Sequence, residues 1–218
     1  MNALGADILA GRRLYLCTPD RPDLEAFLHA CLRGGVDIVQ LRDKHLEAGQ
    51  LVARATVAKT CCAEYGVPFV VNDRPDVALA VGAAGVHLGQ QDVPPEVARR
   101  ILGPDALIGL STHAAADLAA SMSAPVDYVS AGPVEPTPTK PRRPGTGAEY
   151  AGEATRTAGR PVFVTGGVRP ESVAALVAAG ARRFVVVRYL TEAPDPEEAA
   201  RVTRAAIDDA LVTVASPD

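Results

Sequence analysis

The chain has 218 residues, 48% of them apolar, which is enough for one substantial buried core. Its formal net charge of -4, with basic residues dispersed rather than gathered in a tract, excludes a global attraction to polyanions and argues against a nucleic-acid partner. Apolar runs are short and broken by Gly, Pro or charge, so no membrane span is expected. The first residues lack the basic start of a secretory leader, and a cytoplasmic protein is expected.

Short β-branched runs alternate with amphipathic stretches along the chain. Strands are predicted over 13–17, 37–41, 69–72, 86–89, 107–111, 128–131, 162–165 and 184–187. Helical periodicity lies between them, for example over 23–33, 48–65 and 171–179. Pro or acidic residues open many of these stretches, and Gly34, Gly66, Gly103, Gly159 and Gly180 are placed to stop them. Strands separated by helices cannot be hairpin partners, so neighbours should be parallel and joined by right-handed crossovers. Eight such units close most simply as a single (β/α)8 TIM barrel over residues 1–218. An open doubly wound sheet is the alternative, but no GxGxxG follows the first strand. Cys17, Cys31, Cys61 and Cys62 lack CxxC spacing and a nearby His pair, so free thiols are expected rather than a zinc site. One connection departs from the rest: residues 132–147, GPVEPTPTKPRRPGTG, form a long, Pro-rich loop with a cationic centre, a length that usually carries function.

In a βα barrel the chemistry comes from the C-terminal strand ends and the loops after them. Strand two runs into Gln40-Leu41-Arg42-Asp43-Lys44, where alternation puts Ile38, Gln40 and Arg42 on one face and Val39 and Leu41 on the other. Strand three ends in Asn72-Asp73-Arg74, strand four in Gly89-Gln90-Gln91-Asp92, and strand five in Ser111-Thr112-His113. Asp73 and Asp92 are one βα unit apart, which places their backbones roughly 5 Å apart on adjacent strand ends, near enough to share one hard cation such as Mg²⁺. Either Asp alone could instead cap a helix. Arg42, Lys44 and Lys140 could add the positive charge that a diphosphate requires. After strand seven, Thr165-Gly166-Gly167 precedes Arg169-Pro170-Glu171 at a helix start, and with Val187-Arg188 after strand eight it forms a candidate phosphate site. His87, inside strand four, reads as a satisfied core histidine, and His113 as a residue lining the mouth.

Taken in order, the motifs QLRDK, VVNDRPDVALAVGAAGVHLGQQD, IGLSTH, DYVSAGPVEPTPTK and VTGGV resemble those of thiamine phosphate synthases over most of the chain. The resemblance implies a transferase that joins 4-amino-2-methyl-5-hydroxymethylpyrimidine diphosphate to 4-methyl-5-(2-hydroxyethyl)thiazole phosphate, giving thiamine phosphate and diphosphate. It implies one Mg²⁺ per active site on Asp73 and Asp92. Gln40, Leu41, Arg42, Asp43, Lys44, Asn72, Ser111 and Lys140 would hold the pyrimidine diphosphate, with Lys140, Arg42 and Ser111 catalytic. Thr137, Pro138, Thr139, Gly167, Val187 and Arg188 would border the thiazole phosphate. In the family, ionisation of the pyrimidine C–O bond precedes attack by the thiazole nitrogen, so stabilising charge is the main task. The long loop would close over both substrates and keep water from the cation. The partners implied are small molecules, and a homo-oligomer is left open. One departure stands out: Val187-Arg188-Tyr189-Leu190 occupies the place where the family commonly has Val-Ser-Ala-Ile, a small hydroxyl replaced by a long cation. The competing readings are a thiazole tautomerase of the same superfamily, against which the Asp pair and TPTK argue, and a non-catalytic phosphate-ligand sensor.

Overall fold

The computed structural model describes residues 3–137 and 144–215. A short helix α1 (Ala3–Leu9) leads into β1 (Leu14–Thr18), α2 (Leu24–Arg33), β2 (Ile38–Leu41), α3 (Ala48–Glu64), β3 (Phe69–Asn72), α4 (Pro75–Val81), β4 (Gly85–Leu88) and α5 (Pro95–Leu102). The second half runs β5 (Leu107–Thr112), α6 (Ala115–Ser121), β6 (Tyr128–Ala131), α7 (Gly147–Thr157), β7 (Val162–Thr165), α8 (Pro170–Ala178), β8 (Phe184–Val186), α9 (Arg188–Thr191) and α10 (Pro196–Ala215). All eight strands pair in parallel in sequence order and β8 closes on β1, so the chain forms a (β/α)8 TIM barrel. Each predicted strand forms, three with the same bounds and the rest shifted, trimmed or extended by one residue. Gly34 and Gly103 cap α2 and α5, while Gly66, Gly159 and Gly180 lie one residue beyond the caps of α3, α7 and α8. Among the described residues no helix is long and apolar enough to cross a membrane.

Two-residue alternation divides each strand between two apolar compartments. Val39, Leu41, Val71, Val86, Ile108 and Val129 face outward into the layer shared with the helices. Tyr15, Ile38, Val70, Leu107, Tyr128, Phe163 and Val185 face inward and fill the barrel. Its centre is aromatic: the Phe163 ring meets Tyr15 and Tyr128 edge-on at 5.4 and 5.5 Å. Leu9, from α1, joins this inner cluster and is 1% exposed. Nearby, Arg12 donates to the carbonyls of Ile8, Asp37 and Gly66. Partly buried Asp37 accepts the backbone N–H groups of Arg13 and Leu14 and pairs with Arg204 at 2.9 Å, tying β1 and α10 to the start of β2. All four cysteines are buried, free thiols.

Candidate active site at the C-terminal mouth of the barrel

The alternation that fills the barrel also carries polar side chains into its upper layers. Gln40, Asn72, His87, Ser111 and Ser130 are all buried. Gln40 continues the inward phase of Ile38, as its position in the sequence requires, and its amide nitrogen donates to the Tyr15 hydroxyl at 2.7 Å. Its amide oxygen lies 3.4 Å from the Cys17 thiol. His87 is a hydrogen-bonded core histidine: Nδ1 is 3.1 Å from the Tyr128 hydroxyl and Nε2 is 3.0 Å from Ser111 Oγ. The Asn72 amide nitrogen is buried without a hydrogen-bond partner among the described residues, a cost that a ligand acceptor would remove.

Asp73 follows Asn72 with φ +61°, the one non-glycine among the described residues held at positive φ. Such a conformation is sparsely populated for Asp and is often found at functional positions. Neither aspartate caps a helix, since the N-caps of α4 and α5 are Arg74 and Pro94. Asp73 Oδ2 pairs with Lys44 Nζ at 2.8 Å, and Asp92 Oδ2 accepts the Gly89 N–H at 2.7 Å within its own loop. The two carboxyl groups contact each other. Burial opposes ionisation of Asp73, but the hydrogen bond to Asp92 and the cation of Lys44 outweigh it and hold Asp73 below the usual carboxylate range. Burial, followed by the hydrogen bond and charge of Asp73, pushes Asp92 above that range. Two acids with opposed shifts on adjacent strand ends are the residues here that could hold a cation. Among the described residues no third His, Cys, Asp or Glu groups with them.

The rest of the QLRDK run divides by geometry. Arg42 borders a cavity of about 240 Å³ shared with Cys17, Val187 and Arg188. The Leu41 side chain packs outward against the helices, so only its main chain is available to the mouth. The Asp43 carboxylate accepts the N–H groups of His45 and Leu46 at 2.8 and 3.0 Å, closing its own turn.

A larger cavity, about 610 Å³, opens beside β7 and β8 and brings together Thr137, Gly167, Val187 and Arg188. Arg188 is exposed at the start of α9. Glu135, which sequence reasoning did not single out, and Arg169, read there only as part of a helix start, also border this cavity and pair with each other at 3.0 Å. They join the root of the long loop to the glycine turn. Val134 N–H donates to Thr165 O at 2.8 Å and Glu135 N–H to Gly166 O at 3.3 Å, continuing the strand pairing beyond β6 and β7. His113 fastens the same root from the other side, its Nδ1 meeting Gly132 O. Pro138, Thr139 and Lys140, singled out from the sequence, lie outside the described residues.

A parallel eight-stranded barrel whose mouth carries a carboxylate pair, an unpartnered buried amide and a glycine turn facing a cavity defines the class: a (β/α)8 barrel with a candidate ligand site where its strands end. A family model described as thiamine monophosphate synthase matches residues 14–190, and the chain belongs to that family. It is therefore an enzyme, a transferase. It is 48% identical over 197 residues to the thiamine-phosphate synthase of Acidothermus cellulolyticus, covering 88% of this chain and 93% of that one. It is 51% identical over 197 residues to the thiamine-phosphate synthase of Thermobifida fusca, covering 88% and 90%. Among solved structures, thiamine phosphate pyrophosphorylase from Pyrococcus furiosus superposes with a TM-score of 0.83 at 30% identity, covering 91% of this chain and 96% of that one.

Proposed function

We propose that the enzyme joins 4-amino-2-methyl-5-hydroxymethylpyrimidine diphosphate to 4-methyl-5-(2-hydroxyethyl)thiazole phosphate in a Mg²⁺-dependent, dissociative reaction that releases diphosphate. The observation that carries this reading is the buried, unpartnered Asn72 amide directly before the Asp73–Asp92 pair. A buried donor beside two carboxylates is poorly suited to an empty apolar core and well suited to a polyanion with a bound cation.

The donor set fits Mg²⁺, which is commonly held by one or two carboxylates with water and substrate phosphates in its other positions. When bound, the ion would offset the charge that builds on the leaving diphosphate. Asp73 and Asp92 would hold it, and Lys44, already on Asp73, would stand beside the same phosphates. Arg42 and, by the family resemblance, Lys140 would add positive charge where the leaving group departs. Gln40, Asn72 and Ser111 would orient the pyrimidine diphosphate from inside the barrel. Thr137, Gly167, Val187 and Arg188 would border the thiazole phosphate in the larger cavity. The thiazole nitrogen carries a free lone pair, so no base is needed to activate it. What this chain must provide is placement, charge and exclusion of water from the pyrimidinylmethyl cation.

The test is a coupling assay on purified protein with both substrates, with and without Mg²⁺, following thiamine phosphate after oxidation to fluorescent thiochrome. Mg²⁺-dependent product is expected. Binding of thiazole phosphate without any product from folded protein would refute the reading.

A further inference from the structure

A chain of hydrogen bonds crosses the inside of the barrel from Gln40 to Ser111. It runs from Gln40 Nε2 to the Tyr15 hydroxyl at 2.7 Å, to the Tyr128 hydroxyl at 3.0 Å, to His87 Nδ1 at 3.1 Å, and from His87 Nε2 to Ser111 Oγ at 3.0 Å. We infer that this chain runs one way and holds Ser111 as a hydrogen-bond donor toward the bound substrate, with Tyr15, Tyr128 and His87 as positioning residues. The inference deepens the proposed function and rests on it for the identity of the substrate.

The direction follows from counting hydrogens. An amide nitrogen only donates, so the Tyr15 oxygen accepts from Gln40 and sends its single hydrogen to Tyr128. Tyr128 in turn sends its hydrogen to His87 Nδ1. A neutral imidazole that accepts at Nδ1 carries its hydrogen on Nε2, and that hydrogen points at Ser111 Oγ. The Ser130 hydroxyl, 3.4 Å away, also points at Ser111 Oγ. Ser111 thus receives in the barrel and keeps its own hydrogen for a ligand. The reverse order would need the Gln40 amide turned, its NH₂ against the Cys17 sulfur, a weak acceptor, in place of a thiol facing a carbonyl. It would also leave Nε2 of His87 as an acceptor, drawing a hydrogen from Ser111 Oγ at 3.0 Å, the nearer hydroxyl, or from Ser130 Oγ at 3.4 Å.

Two further observations show that the chain is built into the barrel. Both phenols are fully buried, and burial raises both well above their ordinary range, so each keeps the hydrogen that the relay needs. Room for the His87–Tyr128 stack, 5.5 Å between ring centroids, depends on Gly109, where a Cβ would overlap the Tyr128 ring and sit 2.5 Å from His87 Nδ1. A serine obliged to donate stabilises charge that develops on a leaving group, whereas one that donates inward does not.

The test begins with the ligand-free protein labelled with ¹⁵N-histidine. Long-range proton–nitrogen correlation, with His87 assigned by its loss in His87→Gln, should show the form protonated at Nε2 and bare at Nδ1. A Nδ1-protonated ring or an imidazolium overturns the inference. Tyr128→Phe, checked for folding by its melt, should release the tautomer into a mixture and lower kcat roughly tenfold while leaving the KM for thiazole phosphate unchanged. In a Ser111→Ala background the same substitution should cost less than about twofold, and an undiminished loss there also overturns it. Wild-type protein that shows the Nε2–H form but makes no thiamine phosphate would overturn the proposed reaction and leave the hydrogen order standing.

Discussion

Replacing Gly166 or Gly167 with Ala should give unequal losses, because the two neighbouring glycines face different obstacles. Both sit at positive φ, +93° and +77°, where a side chain costs about 1–2 kcal/mol. At Gly166 a new Cβ would lie 2.5 Å from Pro133 Cα and 2.8 Å from Val134 N, main-chain atoms held by the pairing to Thr165. They cannot yield without displacing the loop root, which adds an overpacking cost of about 1–3 kcal/mol. At Gly167 the new Cβ meets Glu135, at 2.5 Å from its carboxylate and 2.9 Å from its Cβ. Glu135 is half-exposed, so its carboxylate can swing outward, giving up an exposed ion pair with Arg169 that contributes little, and only its Cβ, the mildest of these overlaps, needs a small shift of the exposed loop. Gly166→Ala should therefore lose about 2–5 kcal/mol and Gly167→Ala about 1–2 kcal/mol. At about 2–4 °C per kcal/mol for a chain of this size, the melting temperatures should be clearly separated in a calorimetric scan. Equal losses, or a larger loss at Gly167, would refute the assignment of Pro133 as the rigid neighbour.

Asp92→Asn should raise the Mg²⁺ concentration for half-maximal rate, and an unaltered Mg²⁺ titration would remove Asp92 from the ligand set. Lys140→Ala should leave the melting temperature near wild type and, under the proposed role beside the leaving diphosphate, lower kcat about 10²-fold; unchanged turnover would end that role. The native thiols should resist alkylation: all four are buried, and burial pushes Cys31 up to about 12 and raises Cys62 further. Mass spectrometry after a short exposure to iodoacetamide at neutral pH should find little modification until denaturant is added, and rapid labelling of folded protein would contradict the burial.

The barrel was legible because its strands are β-branched runs cut off by Pro, Gly or Asp. Phe69–Asn72, Tyr128–Ala131 and Val162–Thr165 show this best, since their predicted and observed bounds coincide. Helix α1 was not legible: seven residues hold too little periodicity, and its position depends on Leu9 entering the barrel, a tertiary contact. Within the site, alternation and the rule of strand ends were enough to bring Gln40, Asn72, Asp73, Asp92 and Ser111 to one mouth. Period-two reasoning also places Leu41 away from it. The turn closed by Asp43 was missed because a polar run does not reveal which of its members is used up locally. The Tyr15–Tyr128 bond was out of reach for a different reason: it spans 113 positions and exists only because the sheet closes. The Glu135–Arg169 pair, 34 positions apart, depends in the same way on the adjacency of β6 and β7.

Leu9 seated in the inner cluster, with Arg12 holding the carbonyls of Ile8, Asp37 and Gly66 beside it, stoppers the end of the barrel at which the strands begin. With that end filled by side chains, the barrel is a packed plug and not a pore, and polar groups are left to gather where the strands finish.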